Sequence, residues 1–334
     1  MILSRYITNQ EISVKKPVWF MRQAGRYLPE FMEIRKQNQD FIKLCLNTKL
    51  ATEITLQPIK RYNLDAAIIF SDILMVPHAL GQKVTFVKDH GPQLTYFETG
   101  KFSRSPDEMC KILEPVYSAI NLTRNQLNKD KSLIGFIGAP WTLGVYMMNL
   151  KEDKNTLNNE KFYTELNLIR FNLERLVNIL FAHIEKQYQA GADVIQMFDS
   201  WAGLIPEKYV KELCFEPSKK IRDFCKSKNI PLICFPKGIG KKYKDFIEYV
   251  KPDCVNIDYE LDPVWASENL KDTCIQGGLD PKKLLGDEKL LLTEVKNYLD
   301  IFKNQRYIFN LGHGILPETK PETVEKIVKI VRDY

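Results

Sequence analysis

Residues 162–201 read FYTELNLIRFNLERLVNILFAHIEKQYQAGADVIQMFDSW. Leu166, Ile169, Leu173, Leu176, Val177 and Leu180 recur at helical spacing, which predicts a helix from about Phe162 to Ala190. Gly191 stands where a left-handed cap is expected to end it. DVIQMF, from Asp193, is an apolar run of strand length, and it passes at once into Asp199, Ser200 and Trp201. The stretch therefore reads as one helix, one buried strand and one polar strand end.

The same unit recurs along the chain. Apolar runs of similar length are PVWFM from Pro17, AAIIF from Ala66, LIGFIG from Leu133 and PLICF from Pro231, then CVNID from Cys254, CIQGG from Cys274 and YIFNLG from Tyr307. Runs so continuously apolar suit strands covered on both faces, as in a parallel sheet. Periodicity alone also allows buried helix, but length, β-branched content and flanking Gly or Pro favour strand. Alternation of strand and helix around eight such runs predicts an α/β protein, a single (β/α)8 TIM barrel over residues 1–334. No Gly/Ser-rich or Pro-rich linker divides it. An extra hairpin is expected near residues 81–100, with VTFV and QLTYF around a turn at Asp89–Pro92. A last helix is expected to open on a Thr319/Glu322 capping box and to bury Val324, Ile327, Val328 and Val331.

Composition narrows the function classes. The 334 residues are 44% apolar and 27% charged, ordinary globular values. No stretch approaches the ~20 apolar residues of a membrane helix, and the start, MILSRYITNQEISVKK, has no secretory core, so a cytoplasmic protein is expected. The seven cysteines form no CxxC pair and read as small buried residues in a reducing compartment. A net charge of +6 suits an anionic partner, but Lys and Arg are scattered, with no nucleic-acid motif. The densest run, KGIGKKYK, reads as a solvated loop and helix start.

The chemistry-bearing residues cluster just after the strands. The first run leads into Arg22, Gln23 and Arg26, the second into Ser71 and Asp72, the third into Pro140, Trp141, Thr142 and then Tyr146. Ser200 follows the fourth, and the last three lead into Asp258, into Gly278 and Asp280, and into Gly312, His313 and Gly314. A barrel gathers such ends on one face, where barrel enzymes place their catalytic groups. Two arginines beside a glycine suit carboxylate or phosphate capture through their planar forks, and this reading is preferred over a solvated face paired with Glu30 or Glu33. Asp72 reads equally as a helix cap. Asp199, Asp258 and Asp280 read mainly as structural. His313 lies between glycines, where backbone can approach a ligand, whereas His78, His90 and His183 read as structural. Tyr146 and Ser200 carry little signal alone.

Commoner chemistries lack their motifs. GHGILP has Pro317 at the third glycine of a dinucleotide fingerprint, and KGIGKK has Phe235 and Lys242 where a phosphate loop needs Gly and Ser/Thr. HExxH, GxSxG and clustered His/Cys ligands are also missing, so no metal or organic cofactor is expected.

PVWFMRQAGRYLPEF, at Pro17 to Phe31, resembles the N-terminal signature of uroporphyrinogen decarboxylases. GAPWTLGVYMM, QMFDSWAG, QGGLDP and FNLGHGILPETKPETV resemble further segments of that family, in the same order and over nearly the whole chain. Gly278 departs from it, standing where asparagine is expected in many relatives. The resemblance implies a cofactor-free (β/α)8 barrel, homodimeric with facing clefts. It implies conversion of four acetate arms of uroporphyrinogen III to methyls, giving coproporphyrinogen III and CO2 in haem biosynthesis. By motif position the site falls on Arg22, Arg26, Asp72, Tyr146, Ser200 and His313, with Gln23 and Arg35 as second choices. The rival readings are a related zinc methyltransferase acting on a corrinoid or thiol, and a non-catalytic tetrapyrrole carrier.

Overall fold

The computed structural model describes residues 2–8, 15–87, 91–95, 102–153 and 155–334. Nine strands are present among them: β1 (Ala66–Ile68), β2 (Val84–Val87), β3 (Gly91–Leu94), β4 (Ser132–Gly138), β5 (Val194–Asp199), β6 (Leu232–Pro236), β7 (Cys254–Ile257), β8 (Cys274–Gly277) and β9 (Tyr307–Ile308). Seven form a parallel sheet in the order β1-β4-β5-β6-β7-β8-β9. That is sequence order with only the hairpin left out, as a barrel of successive β/α units requires.

The run at Pro17 closes the ring without becoming a regular strand. It makes one parallel bridge, Val18 to Phe309. Phe309 N–H donates to Pro17 O at 2.8 Å and Trp19 N–H to Phe309 O at 3.3 Å, while Asp65 N–H donates to Val18 O at 2.9 Å on the β1 side. Its other donors are taken by side chains. Val18 N–H meets Asp65 Oδ2 at 2.7 Å, Phe20 N–H meets Gln23 Oε1 at 3.0 Å, and Met21 N–H meets Asn310 Oδ1 at 3.0 Å. A strand was expected here; borrowed side-chain acceptors interrupt its ladder.

Strand residues alternate between two cores. Ile195, Met197, Val255 and Ile275 face the surrounding helices. Ile68, Ile134, Val194, Ile233 and Ile308 fill the barrel interior together with Trp19. Leu3, Tyr6 and Ile7 of the helix Ile2–Thr8 belong to that inner cluster. The helix is tied to strand starts: Leu3 N–H donates to Ser132 Oγ at 3.0 Å, and Tyr307 N–H to Tyr6 Oη at 3.0 Å. It therefore plugs the end of the barrel opposite the strand ends, a role that its short sequence does not announce.

Alternation also turns Gln196, Asn256 and Gln276 inward, where polar groups must find partners. Gln276 supplies most of them: its Oε1 accepts from the Trp19 indole at 2.9 Å, and its Nε2 donates to Asn256 Oδ1 at 2.7 Å and Gln196 Oε1 at 3.2 Å. Phe136, Phe198 and Phe235 form an edge-on chain of rings in the same interior, at 5.7 and 6.5 Å. Phe136 and Phe198 are only half-buried.

Outside the barrel, the helix expected over 162–190 is two, Asn159–Thr164 and Leu166–Gln189, followed by Gly191 at φ +114°. The last helix is Pro321–Asp333 and buries Val324, Ile327, Val328 and Val331 as expected. Its capping box does not form. Pro321 starts the helix, so Lys320 is the N-cap and Thr319 lies one residue too early, with its buried hydroxyl unpartnered. The hairpin near 81–100 is β2 paired antiparallel with β3. The expected turn at Asp89 and the end of the QLTYF run lie outside the described residues. All seven cysteines are free and buried, and among the described residues no helix is long and apolar enough to cross a membrane.

Candidate active site

The turn after Phe20 positions the two arginines. Gln23 N–H donates back to Phe20 O at 3.0 Å, and Arg22 takes the left-handed region at φ +60°. A side chain there strains the backbone by roughly 1–2 kcal/mol, a cost found where geometry matters. The segment is a turn, not a helix; the next helix begins only at Pro29, so Arg22 and Arg26 do not share a helical face. Gln23 is fully buried and spent on backbone, its Nε2 donating to Ala66 O at 3.0 Å. Arg35 donates to the carbonyls of Asn38 and Gln39. Gln23 is thereby committed to backbone, whereas Arg35 commits only Nη1 of its guanidinium.

The ion pairs weighed for Arg22 and Arg26 are not made. Glu30 takes both its hydrogen bonds from Arg61, each at 2.9 Å, and Glu33 pairs with Lys36. Both cationic forks are exposed.

Asp72 is half-buried just past β1. Its Oδ1 accepts from Leu74 N–H at 2.8 Å, so it does stabilise the following turn. Its Oδ2 is left over. Burial raises its pKa above the usual value, opposed by the Leu74 hydrogen bond and by the positive charge of Arg22. Arg22 shows the counterpart: it opens onto the cleft but protein surrounds it elsewhere, so burial lowers its pKa while Asp72 and Tyr146 raise it. Tyr146, near the end of the helix Pro140–Met147, has its pKa raised by burial, opposed by the Trp201 indole. Arg22, Asp72 and Tyr146 thus share one electrostatic field.

Ser200 sits on a clamped turn at the end of β5. Thr142 Oγ1 donates to Asp199 Oδ1 at 2.6 Å and accepts from Trp201 N–H at 3.1 Å, fixing the residues on either side of Ser200. Trp201 packs edge-on to Tyr146 with ring centroids 6.0 Å apart, under the ammonium of Lys151 at 3.7 Å. Asp199 is structural, as read, and burial pushes its carboxyl up to about 6. Asp258 is structural too, accepting from Gly238 N–H, Tyr243 O–H and Glu260 N–H. Asp280 caps a short helix by accepting from Lys282 N–H.

His313 receives a hydrogen bond at Nδ1 from Gly314 N–H at 2.7 Å. A nitrogen that accepts carries no proton, so the neutral ring bears its hydrogen on Nε2. Burial, with Arg22 and Lys237 nearby, pushes its pKa down to about 3. His313 is a neutral hydrogen-bond donor at physiological pH. Arg22, His313, Gly314 and Tyr259 line one cleft. Tyr259 carries no signal in the sequence, because nothing in CVNID-Tyr marks it, and the end of β6 offers only a lysine in a basic run.

Arg22, Asp72, Tyr146 and His313 are brought together; Ser200 joins through Trp201 and Tyr146, and Arg26 lies on the same turn as Arg22. Among the described residues no three His, Cys, Asp or Glu side chains gather in a group that could hold a metal ion.

Known proteins share this frame. A methyltransferase from Methanosarcina mazei superposes with a TM-score of 0.80 at 16% identity, over 99% of this chain and 97% of that one. A putative vitamin-B12 independent methionine synthase from Listeria monocytogenes gives 0.55 at 12% identity, over 96% of each chain. Identities so low carry the fold and nothing more. Sequence relatives go further. A uroporphyrinogen decarboxylase from Rickettsia bellii is 43% identical over 328 residues, 96% of this chain and 95% of its own length. Another from Wolbachia pipientis is 39% identical over 334 residues, 99% and 98% of the two. The uroporphyrinogen decarboxylase (URO-D) family model matches residues 3–334. With the matching signature lying on the turn that carries Arg22 and Arg26, the chain belongs to the uroporphyrinogen decarboxylase family.

Proposed function

We propose that this chain, one catalytic barrel over residues 1–334, removes the carboxylates of the four acetate arms of uroporphyrinogen III, yielding coproporphyrinogen III and CO2. The observation that carries the reading is the proximity of Asp72 and Arg22 without an ion pair between them: a carboxylate with only Oδ1 engaged, by Leu74 N–H, within the field of an exposed guanidinium that makes no ion pair among the described residues. That arrangement suits a substrate with a cationic intermediate at its centre and anions around its rim.

Loss of CO2 from an acetate arm needs an electron sink. A pyrrole provides one after protonation at a ring carbon: the C–C bond breaks with loss of CO2, its electron pair neutralises the ring cation as an exocyclic double bond, the arm carbon takes a proton to become methyl, and the proton first added to the ring carbon leaves to restore the pyrrole. The ring is cationic at the point of cleavage. An ionised Asp72 stabilises that cation in a cleft of lowered dielectric. Its Oδ2 accepts pyrrole N–H groups while Leu74 holds Oδ1 in place. Arg22 and Arg26 hold carboxylates, each charge-assisted bond contributing ~1.5–3 kcal/mol net. His313 offers its Nε2–H to another arm, and its depressed pKa leaves the ring without the extra proton that a general acid would donate at neutral pH. Tyr146 and Ser200 orient the arms nearest β4 and β5.

The reading includes a homodimer, a cytoplasmic setting and no metal or organic cofactor. The direct test is anaerobic incubation with uroporphyrinogen III after dialysis against a strong chelator. Coproporphyrinogen III is expected; unchanged substrate would favour the carrier reading, and activity restored only by zinc the methyltransferase-like one. Sedimentation at micromolar concentration should show the dimer, and a monomer alone would contradict it.

A further inference from the structure

We propose that Lys237 is a further substrate-binding residue, the contribution of β6 to the cleft, giving a mobile cation for the carboxylate arms of the macrocycle. The inference rests on the decarboxylase reading above. The sequence had placed this lysine in a solvated basic run, KGIGKKYK, and for the rest of that run the structure agrees. Lys242 pairs with Glu207 at 3.2 Å and Lys241 lies 5.9 Å from the Trp265 ring. Lys237 differs. It is half-buried, directly follows β6, and its Nζ stands 5.7 Å from the ring of Tyr259, which lines the same cleft as Arg22 and His313.

Its backbone is held on three sides. Lys237 N–H donates to Asp199 O at 3.1 Å, Lys237 O accepts from Gly203 N–H at 2.9 Å, and the neighbouring Gly238 N–H donates to Asp258 Oδ2 at 2.8 Å. Gly203 and Gly238 pack so closely that a β-carbon on Gly203 would stand 2.7 Å from Gly238 O. The corner is therefore rigid, and only the lysine side chain is free to adjust.

No acidic partner neutralises it among the described residues. Asp258, at the end of the following strand, has both oxygens committed to Gly238, Tyr243 and Glu260, and Asp280, which lines the cleft with Tyr259, makes no ion pair with the lysine and accepts from Lys282 N–H. The Lys237 ammonium is therefore left to the Tyr259 ring and to an anionic ligand. Its charge also reaches His313, where it acts with Arg22 against protonation of the ring. A compact ammonium on a flexible stem can follow arms that change position between successive decarboxylations, which a rigid guanidinium fork does less well.

The test is steady-state kinetics of Lys237→Met and Lys237→Arg on uroporphyrinogen III, with a thermal melt of each. Lys237→Met is expected to melt with the wild type and to raise KM about ten- to hundred-fold with kcat changed less than about threefold. Lys237→Arg should recover most of the loss, which a structural role for the aliphatic stem would not require. A folded Lys237→Met enzyme with KM within twofold of wild type would overturn the proposal. So would failure of both Lys237→Met and Lys237→Gln to fold, since the lysine would then be structural. Inactive wild type would instead overturn the decarboxylase reading itself.

Discussion

Gly314 lies against the side chain of Arg22: a β-carbon at position 314 would stand 2.3 Å from Arg22 Cδ and 2.9 Å from its Nε. The two residues are far apart in sequence and meet because the ring closes between the Pro17 run and β9. Gly314 also donates its N–H to His313. One glycine therefore sets both the path of the arginine and the tautomer of the histidine.

Gly314→Ala should push Arg22 aside. Arg22 opens onto the cleft, so the side chain can move and the melting temperature should change little. A displacement of about 1 Å in a positioning group can cost ~10² in rate. The expected result is a folded protein with kcat/KM lowered by one to two orders of magnitude. Normal kinetics would show that Arg22 does not need its present path.

Arg22→Ala and Arg26→Ala should each impair turnover without unfolding the chain, and Arg22→Lys should not fully rescue, because the bidentate fork is lost. Position 22 adds a stability signature. At φ +60° a glycine is unstrained, so Arg22→Gly should melt at or above Arg22→Ala while remaining as impaired. Differential scanning calorimetry with parallel kinetics checks both; an Arg22→Gly protein clearly less stable than Arg22→Ala would argue against stored strain.

Burial of His183 gives a pH dependence. Its ring lies in the core, Nδ1 at 2.9 Å from the Tyr117 hydroxyl, and burial pushes its pKa from 6.5 to about 4. The unfolded chain binds the proton first, so the stability this histidine contributes is full above about pH 6.5 and is lost as pH falls toward 4. Asp199 acts in the opposite sense, its raised pKa favouring the folded state as pH falls below about 6. The difference between wild type and His183→Gln cancels Asp199. It should shrink by at most about 1.4 kcal/mol per pH unit across that window, measured by urea unfolding; a constant difference would contradict the assignment.

The fold was largely legible because each barrel strand is buried on both faces and so writes a short, mostly apolar run. LIGFIG, DVIQMF and PLICF all became strands where read. PVWFM did not, because its backbone donors go to Asp65, Gln23 and Asn310, partners that local sequence does not reveal as such. The plugging helix Ile2–Thr8 was missed for a similar reason: its apolar residues face the barrel interior, a surface that exists only after the strands assemble. Strand ends pointed to Arg22, Asp72, Tyr146 and His313. Lys237 escaped because a basic loop run looks alike whether its lysines face water or a cleft.

Asp72→Asn is the substitution on which the account turns. The change keeps the shape and leaves one acceptor oxygen, but places an amide donor where pyrrole N–H groups are to be met, and it removes the charge opposing the cationic ring. Loss of a preorganised electrostatic group of this kind typically costs ~10²–10³ in turnover. Asp72→Glu should also suffer, since the longer arm moves the carboxylate off its Leu74 anchor. The decisive measurement is the kcat of Asp72→Asn on uroporphyrinogen III, alongside its thermal melt. The expected outcome is a variant that melts close to wild type, within the loss of one turn hydrogen bond, and turns over at least a hundred-fold more slowly. A well-folded Asp72→Asn enzyme with near-normal turnover would contradict it and leave Asp72 a cap for the turn at Leu74.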